Sequence, residues 1–322
     1  MDGQEPPQFY TGLVAELYAP LRAAGVPDPE PYAAFITASG EPALELGCGQ
    51  GDPLLALRAR GLDVEGLDAS ADMLARLRLR AEADGVEVVV HHSTIEAMEL
   101  RRHYQSIFLT RPTFNLLPDD DTAWHALERI RAHLEPGGTV RIALFAPERT
   151  ERGALGTARP HITDDGAEMS VTPVSETRDV ANRVQITTLR YELRTAEGDV
   201  RVEERPWLIH WYTQDGFRAL AEEAGLRVSE VRAPDGSPAA TEATDVVVWL
   251  EPDPTWDQPR AARTGGGAVV AAAMLGLEQV VFGERPKVQV VAEAEADGLD
   301  HGDIDLDLDD PAQSRITLAA ED

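Results

Sequence analysis

Along the first 250 residues the apolar positions switch repeatedly between a helical and a strand rhythm. Leu13, Leu17 and Leu21 recur at helical spacing and predict a helix over 9–24, and a second short helix follows over 30–38. Pro42-Ala-Leu-Glu-Leu46 reads as a short buried strand that runs into glycines. A helix over 52–60 and a strand from Leu62 to Leu67 come next. Ser70 is the expected N-cap of a helix carrying Met73, Leu74 and Leu77. Val86 to Val90 predicts a third strand and Ser106 to Leu109 a fourth. Asp120 and Asp121 open a helix with Ala123, Leu127, Ile130 and Leu134 on one face; Pro136-Gly-Gly138 breaks it, and Thr139 to Phe145 gives a fifth strand. Strands alternating with helices imply a parallel, doubly wound α/β sheet covered on both faces.

After Phe145 the rhythm changes. Val184 to Arg194 and Val200 to Tyr212 read as two strands joined at Ala196-Glu-Gly-Asp199, a hairpin signal. Thr213 caps a helix over 214–224 that stops at Gly225, and Val228 to Val231 and Asp245 to Leu250 are closing strands. The Pro-rich patch from Glu251 to Pro259 marks a linker, which places a domain boundary near 253 and leaves 253–322 as an appendage. In that appendage 267–282 predicts an apolar helix, 288–291 a strand, and 303–309 alternates acid with Ile and Leu. The acidic alternation fails the EF-hand pattern, since Leu308 stands where that loop needs glycine, and reads as a solvated acidic face.

Charge narrows the partners. The 322 residues carry a formal net charge of −28, which disfavours nucleic acids and anionic membranes. The basic residues are Arg except for Lys287. A single cysteine, Cys48, excludes an intramolecular disulfide framework and a multi-cysteine metal site. The opening MDGQEPPQFY is no secretory signal, and the longest apolar run, 265–277, is too short to span a bilayer, so the expected location is cytoplasmic.

The candidate chemistry lies in Glu45-Leu-Gly-Cys-Gly-Gln-Gly51, between a strand and a helix. Its three alternate glycines allow a tight turn and close approach to a ligand, and the helix behind would offer unpaired N–H groups. Asp68 ends the next strand, the place that reaches ribose hydroxyls in a doubly wound fold. The loop and Asp68 together describe a nucleoside site. The glycine spacing is G-x-G-x-G, not the dinucleotide G-x-G-x-x-G. A carboxylate at Glu45 would repel a pyrophosphate and suits a cofactor bearing an amino group.

These stretches, with Gly66-Leu-Asp-Ala-Ser-Ala-Asp-Met73 and His133-Leu-Glu-Pro-Gly-Gly138, resemble bacterial class I S-adenosylmethionine-dependent methyltransferases acting on small molecules. The likeness extends to Trp211-Tyr-Thr-Gln-Asp-Gly-Phe217 and Glu223-Ala-Gly-Leu-Arg-Val228 and covers roughly 9–250. It implies a Rossmann-like, seven-stranded sheet with its last strand antiparallel, in a domain over 1–252. Residues 1–40 would form a helical cap and 150–212 a substrate-side insertion. It implies S-adenosylmethionine as cofactor, with Glu45, Gly47, Cys48, Gly49 and Gly51 around its methionine part and Asp68 on its ribose. Ala69 and Met73 would flank the adenine, with Thr94 and Ile95 beside it, although relatives carry Gly-Asp-Met where this chain has Ser93-Thr94-Ile95. Thr110 follows strand four at the cofactor edge, and Tyr10 and Tyr18 belong to the covering helix.

Methyl transfer to an O or N atom of a small molecule by direct in-line displacement needs no metal and requires a base only for a protonated nucleophile. Among eight histidines His210 is the candidate base, because it leads into the segment where lid and substrate elements meet. Packing is the alternative for His210, and also for Trp207 and Trp211, which could wall an apolar pocket. Cys48 lacks an accompanying base and reads as a small turn residue. Two other readings stand beside the methyltransferase: a non-catalytic regulator acting through 265–322, which could equally pair two copies of the chain, and a nucleotide-dependent oxidoreductase, disfavoured by the glycine spacing.

Overall fold

The computed structural model describes residues 9–21, 25–163, 166–256, 304–305 and 315–316. The chain divides into two compact units, Met1–Ala271 and Ala272–Asp322, so the composition boundary near 253 falls inside the first. The apolar helix expected over 267–282, the strand over 288–291 and most of the alternating segment 303–309 lie outside the described residues. In the second unit Ile304–Asp305 pairs antiparallel with Arg315–Ile316.

In the first unit β1 (Ala43–Leu46), β2 (Val64–Asp68), β3 (Val90–His92), β4 (Tyr104–Phe108) and β5 (Leu134–Leu144) run parallel. The strands β6 (Arg159–Ile162), β7 (Glu168–Asp179), β8 (Val184–Arg194) and β9 (Val200–His210) form a separate antiparallel sheet in sequence order. The chain then returns to the first sheet with β10 (Leu226–Arg232) and β11 (Val246–Pro252), giving the order β10-β11-β5-β4-β1-β2-β3. The last strand, β11, lies between β5 and β10 and is antiparallel to both. All four residues of β1 are buried, as expected of a central parallel strand covered on both faces.

Among the described residues six helices flank these sheets: α1 (Gly12–Leu21), α2 (Glu30–Ser39), α3 (Leu54–Ala59), α4 (Ala71–Asp84), α5 (Asp120–Ala132) and α6 (Gln214–Glu223). Their starts are built by side chains. Ser70 Oγ accepts from Met73 N at 3.1 Å to begin α4, and Gly85, with φ 65°, ends it. The cap of α5 is Asp119, whose carboxylate accepts from Thr122 N at 2.8 Å. Thr213 Oγ accepts from Gly216 N at 3.0 Å to start α6. One apolar cluster joins β4, β5, α5 and α6 through Ile107, Leu127, Val140 and Phe217. Another joins α2, α3 and α4 to the opposite face through Phe35, Leu54, Leu74 and Phe108. A third packs Leu13, Val14 and Leu17 of α1 on Tyr191 and Leu193 of the antiparallel sheet.

Two expectations are corrected and one is extended. The expected antiparallel hairpin, β8 and β9, is present as part of a four-stranded sheet. Its β6 and β7 are polar and carry Pro160 and Pro173, which mask a strand pattern, and β7 bulges between Pro173 and Ser175. Pro136-Gly-Gly138 lies within β5 and does not precede it. The helix has already ended at Ala132, and four residues of β5, 135–138, stand against Gln105 alone of β4 there. The third strand is displaced to Val90–His92; it overlaps the predicted stretch at Val90, which pairs with Gly66, and Val89 O accepts from Gly66 N at 3.0 Å.

Candidate active site

The glycine loop leaves β1 at the C-terminal edge of the parallel strands and enters α3. Gly47, Gly49 and Gly51 all have positive φ, at 71°, 51° and 92°. Packing enforces two of these glycines: an added Cβ would stand 2.5 Å from Thr113 Cγ2 at Gly47 and 2.9 Å from Leu55 Cγ at Gly51. The N–H groups of the loop are already bonded. Gly47 N and Cys48 N donate to Leu67 O at 2.7 and 3.0 Å, Gly51 N to Cys48 O at 2.9 Å, and Gly49 N to Asp68 Oδ2 at 2.7 Å. These four loop N–H groups are therefore taken up within the protein, and a phosphate finds no ready cradle at these positions.

What the loop presents instead is acid. Glu45 is fully buried on β1; one oxygen accepts from Thr110 Oγ1 at 3.2 Å, and Oε2 has no partner among the described residues. Burial pushes its carboxyl well above the usual range, against the downward pull of the Thr110 bond and of the Leu54 backbone N–H. Asp68 closes β2, its second oxygen accepting from Ser70 N at 2.8 Å, and burial raises its carboxyl too. Cys48 is buried with its thiol pushed up by burial, and its Sγ fills the space that a Cβ on Gly66 would enter, 2.7 Å away. It is a packing residue.

Two elements cover this loop. The N-terminal segment is fastened to it from outside: Gln50 Nε2 donates to Ala15 O at 2.8 Å, Ser70 Oγ to Tyr10 O at 2.5 Å, and Gly12 N to Asp72 Oδ2 at 2.7 Å. Its other side is held by the antiparallel sheet, where Leu13 N donates to Glu203 Oε2 at 2.8 Å and Arg201 pairs with Glu16 at 2.7 Å. Tyr10 and Tyr18 stack edge to face at 5.5 Å; burial leads the rise of the Tyr10 phenol, and Asp68 adds to it. The second cover is the 3₁₀ turn η1 (Thr113–Leu116), whose Thr113 faces Gly47. Asn115 anchors it, donating to Phe145 O at 3.0 Å and His210 O at 2.7 Å. The sequence reading took Ser70 only as a helix cap and missed Gln50 and Thr113; of these two Gln50, a long amide between two loop glycines, gave a signal.

The remaining predicted residues divide. Met73 is buried, and a Cβ at Gly49 would stand 3.3 Å from its Cε. Ala69 is half-buried and accepts from His92 Nε2 at 2.9 Å, while Ile95 is buried and Thr94 half-buried after β3. His210 stands apart. Its fully buried ring meets Tyr212 Oη at 3.0 Å, Arg183 at 3.4 Å and Asp120 at 3.5 Å, and burial lowers it to about 4. Even-numbered His210 and odd-numbered Trp207 occupy opposite faces of β9, which is regular along its pairing with β8. Trp211 lies beyond β9, under the Arg178 guanidinium at 4.4 Å. Arg111 donates to Gly25 O at 2.8 Å.

Residues 43–138, which span the loop, Asp68 and η1, match the family described as a methyltransferase domain. The chain is 30% identical over 216 residues to the cypemycin N-terminal methyltransferase of a Streptomyces species, covering 66% of this chain and 83% of the relative. The chain belongs to the class I S-adenosylmethionine-dependent methyltransferases. A dTDP-3-amino-3,6-dideoxy-α-D-glucopyranose N,N-dimethyltransferase of Streptomyces fradiae is 27% identical over 233 residues, 69% of this methyltransferase and 87% of that one. The fold matches the CcbJ methyltransferase of Streptomyces caelestis, with TM-score 0.62, 23% identity and coverage of 76% and 98%. It also matches an S-adenosylmethionine-dependent methyltransferase of Clostridium acetobutylicum, with TM-score 0.60, 13% identity and coverage of 74% and 96%. Membership makes the protein an enzyme and sets aside the regulator and the oxidoreductase. The residues present fit the cofactor: the orphaned Glu45 Oε2 suits its amino group, and the Asp68 carboxylate retains lone pairs for ribose hydroxyls. Among the described residues no group of acidic, His or Cys side chains forms a metal cluster, and no helix is long and apolar enough to cross a membrane.

Proposed function

We propose that this methyltransferase acts on an amino nitrogen of a small biosynthetic molecule in the cytoplasm. The unpartnered, buried Glu45 Oε2 in the glycine loop is the observation that carries the site. Glu45 would hold the cofactor's amino group, Asp68 its ribose, and Ala69, Met73, Thr94 and Ile95 its adenine. Thr110, through its bond to Glu45, and the Tyr10–Tyr18 pair would close the same pocket. When bound, S-adenosylmethionine supplies a methyl group on a positively charged sulfur.

The work left to the chain is orientation and exclusion of water. The segment from Tyr10 to Leu21 and η1 do both, one closing the outer side of the loop and the other fixed at Gly47. Nitrogen is supported over oxygen by the two curated relatives, whose names place the methyl on a peptide N-terminus and on an amino sugar. It is also supported by the site. A neutral amine attacks with its lone pair and sheds its proton afterwards, whereas a hydroxyl must lose its proton in the transition state. His210, turned toward Tyr212, Arg183 and Asp120, is placed to hold the corner of β9 and η1 and not to take that proton. The acidic surplus supports a free small molecule over a nucleic acid. The test is calorimetry with S-adenosylhomocysteine, then mass spectrometry of products from paired amino and hydroxyl acceptors. N-methyl product alone is expected; O-methyl product alone overturns the reading.

A further inference from the structure

The antiparallel sheet carries buried polar atoms that have no hydrogen-bond partner among the described residues. Residues 203, 205, 207 and 209 of β9 share the face turned to α1, since Leu13 N reaches Glu203 and Phe9 packs on Trp207 with ring centroids 6.4 Å apart. On that face Arg205 Nε and Trp207 Nε1 are buried donors with no acceptor among the described residues. A buried N–H without a partner is costly, and native structures carry few of them. Here two sit two residues apart on one strand face, with the buried hydroxyl-bearing Thr187 opposite Trp207 on β8.

We propose that Arg205 and Trp207 form the acceptor subsite, and that they read an uncharged, hydroxyl- or carbonyl-bearing ring. This rests on the small-molecule reading above and names the acceptor's class. Charge decides against an anion: the Arg205 guanidinium is already paired with Glu203, which also accepts from Leu13 N, so the free Nε offers a hydrogen bond without an uncompensated positive charge. The Trp207 indole adds an apolar plane, backed by Phe9 and through it by Tyr10 at 4.8 Å. Placement fits as well. Tyr10 is fastened to Ser70, next to Asp68, and the C-terminal end of β9 is tied through His210 O to Asn115 of η1, which abuts Gly47. The aromatic row from Tyr10 to Trp207 therefore runs from the cofactor side of the site to the open donors.

The test uses the full chain saturated with S-adenosylhomocysteine, ¹⁵N-labelled at tryptophan. The probes are a thymidine-diphosphate 3-amino-3,6-dideoxyhexose and its 3-hydroxy counterpart, and Trp207→Phe assigns the indole resonance. Both sugars are expected to shift the Trp207 indole N–H. In turnover, Trp207→Phe should raise the KM of the amino sugar about tenfold, one hydrogen bond, with kcat and S-adenosylhomocysteine affinity within twofold of wild type. A Trp207 resonance that stays put with both sugars, or an unchanged KM in Trp207→Phe, overturns the subsite. Shifts with both sugars and methylation of the hydroxy sugar alone overturn the nitrogen reading and leave the subsite standing.

Discussion

Glu45→Gln should make the free protein more stable and a poorer enzyme. The carboxyl is fully buried, with one oxygen on Thr110 and Oε2 without a well-aligned hydrogen bond among the described residues. Glutamine keeps the Thr110 bond and removes the pH-dependent cost of holding a carboxyl whose folded value is raised, so about 1–2 kcal/mol of stability is expected at pH 8. For a domain of this size that is a melting temperature higher by about 2–8 °C. The sign with pH follows from linkage. A carboxyl raised in the folded state costs stability as pH climbs from its ordinary value through its folded one, so the advantage of the variant should be full in alkali and vanish near pH 4. Binding should move the other way. Losing a charge-assisted bond to the cofactor's amino group is worth about 1.5–3 kcal/mol, roughly 10- to 100-fold in S-adenosylhomocysteine affinity. Thermal scans from pH 4 to 8 with calorimetry at pH 8 read both quantities. A variant that melts lower than wild type at pH 8, or binds equally well, refutes the reasoning.

Other substitutions probe the neighbouring contacts. Asp68→Ala strips acceptors from Gly49 N and Ser70 N as well as from the ribose; affinity for S-adenosylhomocysteine should fall by about 1–3 kcal/mol in calorimetry, and an unchanged value would count against the site. Gly47→Ala places a Cβ against Thr113 at positive φ and should lower the melting temperature, with partial recovery when Thr113→Ala is added; no loss of stability would sink that account. His210, lowered to about 4 by burial, adds stability that is whole above pH 6.5 and is lost as pH falls toward 4. Wild type should therefore lose more stability than His210→Gln over that interval in denaturant titrations, while kcat keeps its pH profile; a vanished acid limb would restore His210 as the base.

Much of this could be read from the chain because local chemistry determined it. Ser70 and Thr213 cap their helices as residue type predicts, and the glycine loop lies between β1 and α3. Pairing with distant residues was less visible. The strands β6 and β7 gain their order from β8, against their own polar composition. Glu45 was legible as acid beside glycines, but its orphaned oxygen depends on Thr110, 65 positions away. The surroundings of His210 depend in the same way on Asp120 and Arg183, which no local pattern joins to it.

The helix α1 is bonded on one side to the glycine loop and α4, through Gln50 and Asp72, and on the other to β9, through Glu203 and Arg201. A ligand that displaces it from either side works against the bonds on the other. Thermodynamic reciprocity then binds the two sites together: the factor by which cofactor sharpens acceptor affinity equals the factor by which acceptor sharpens cofactor affinity. A covering helix tethered on both flanks is in that sense a shared spring, and cutting one tether should weaken both halves of the exchange equally.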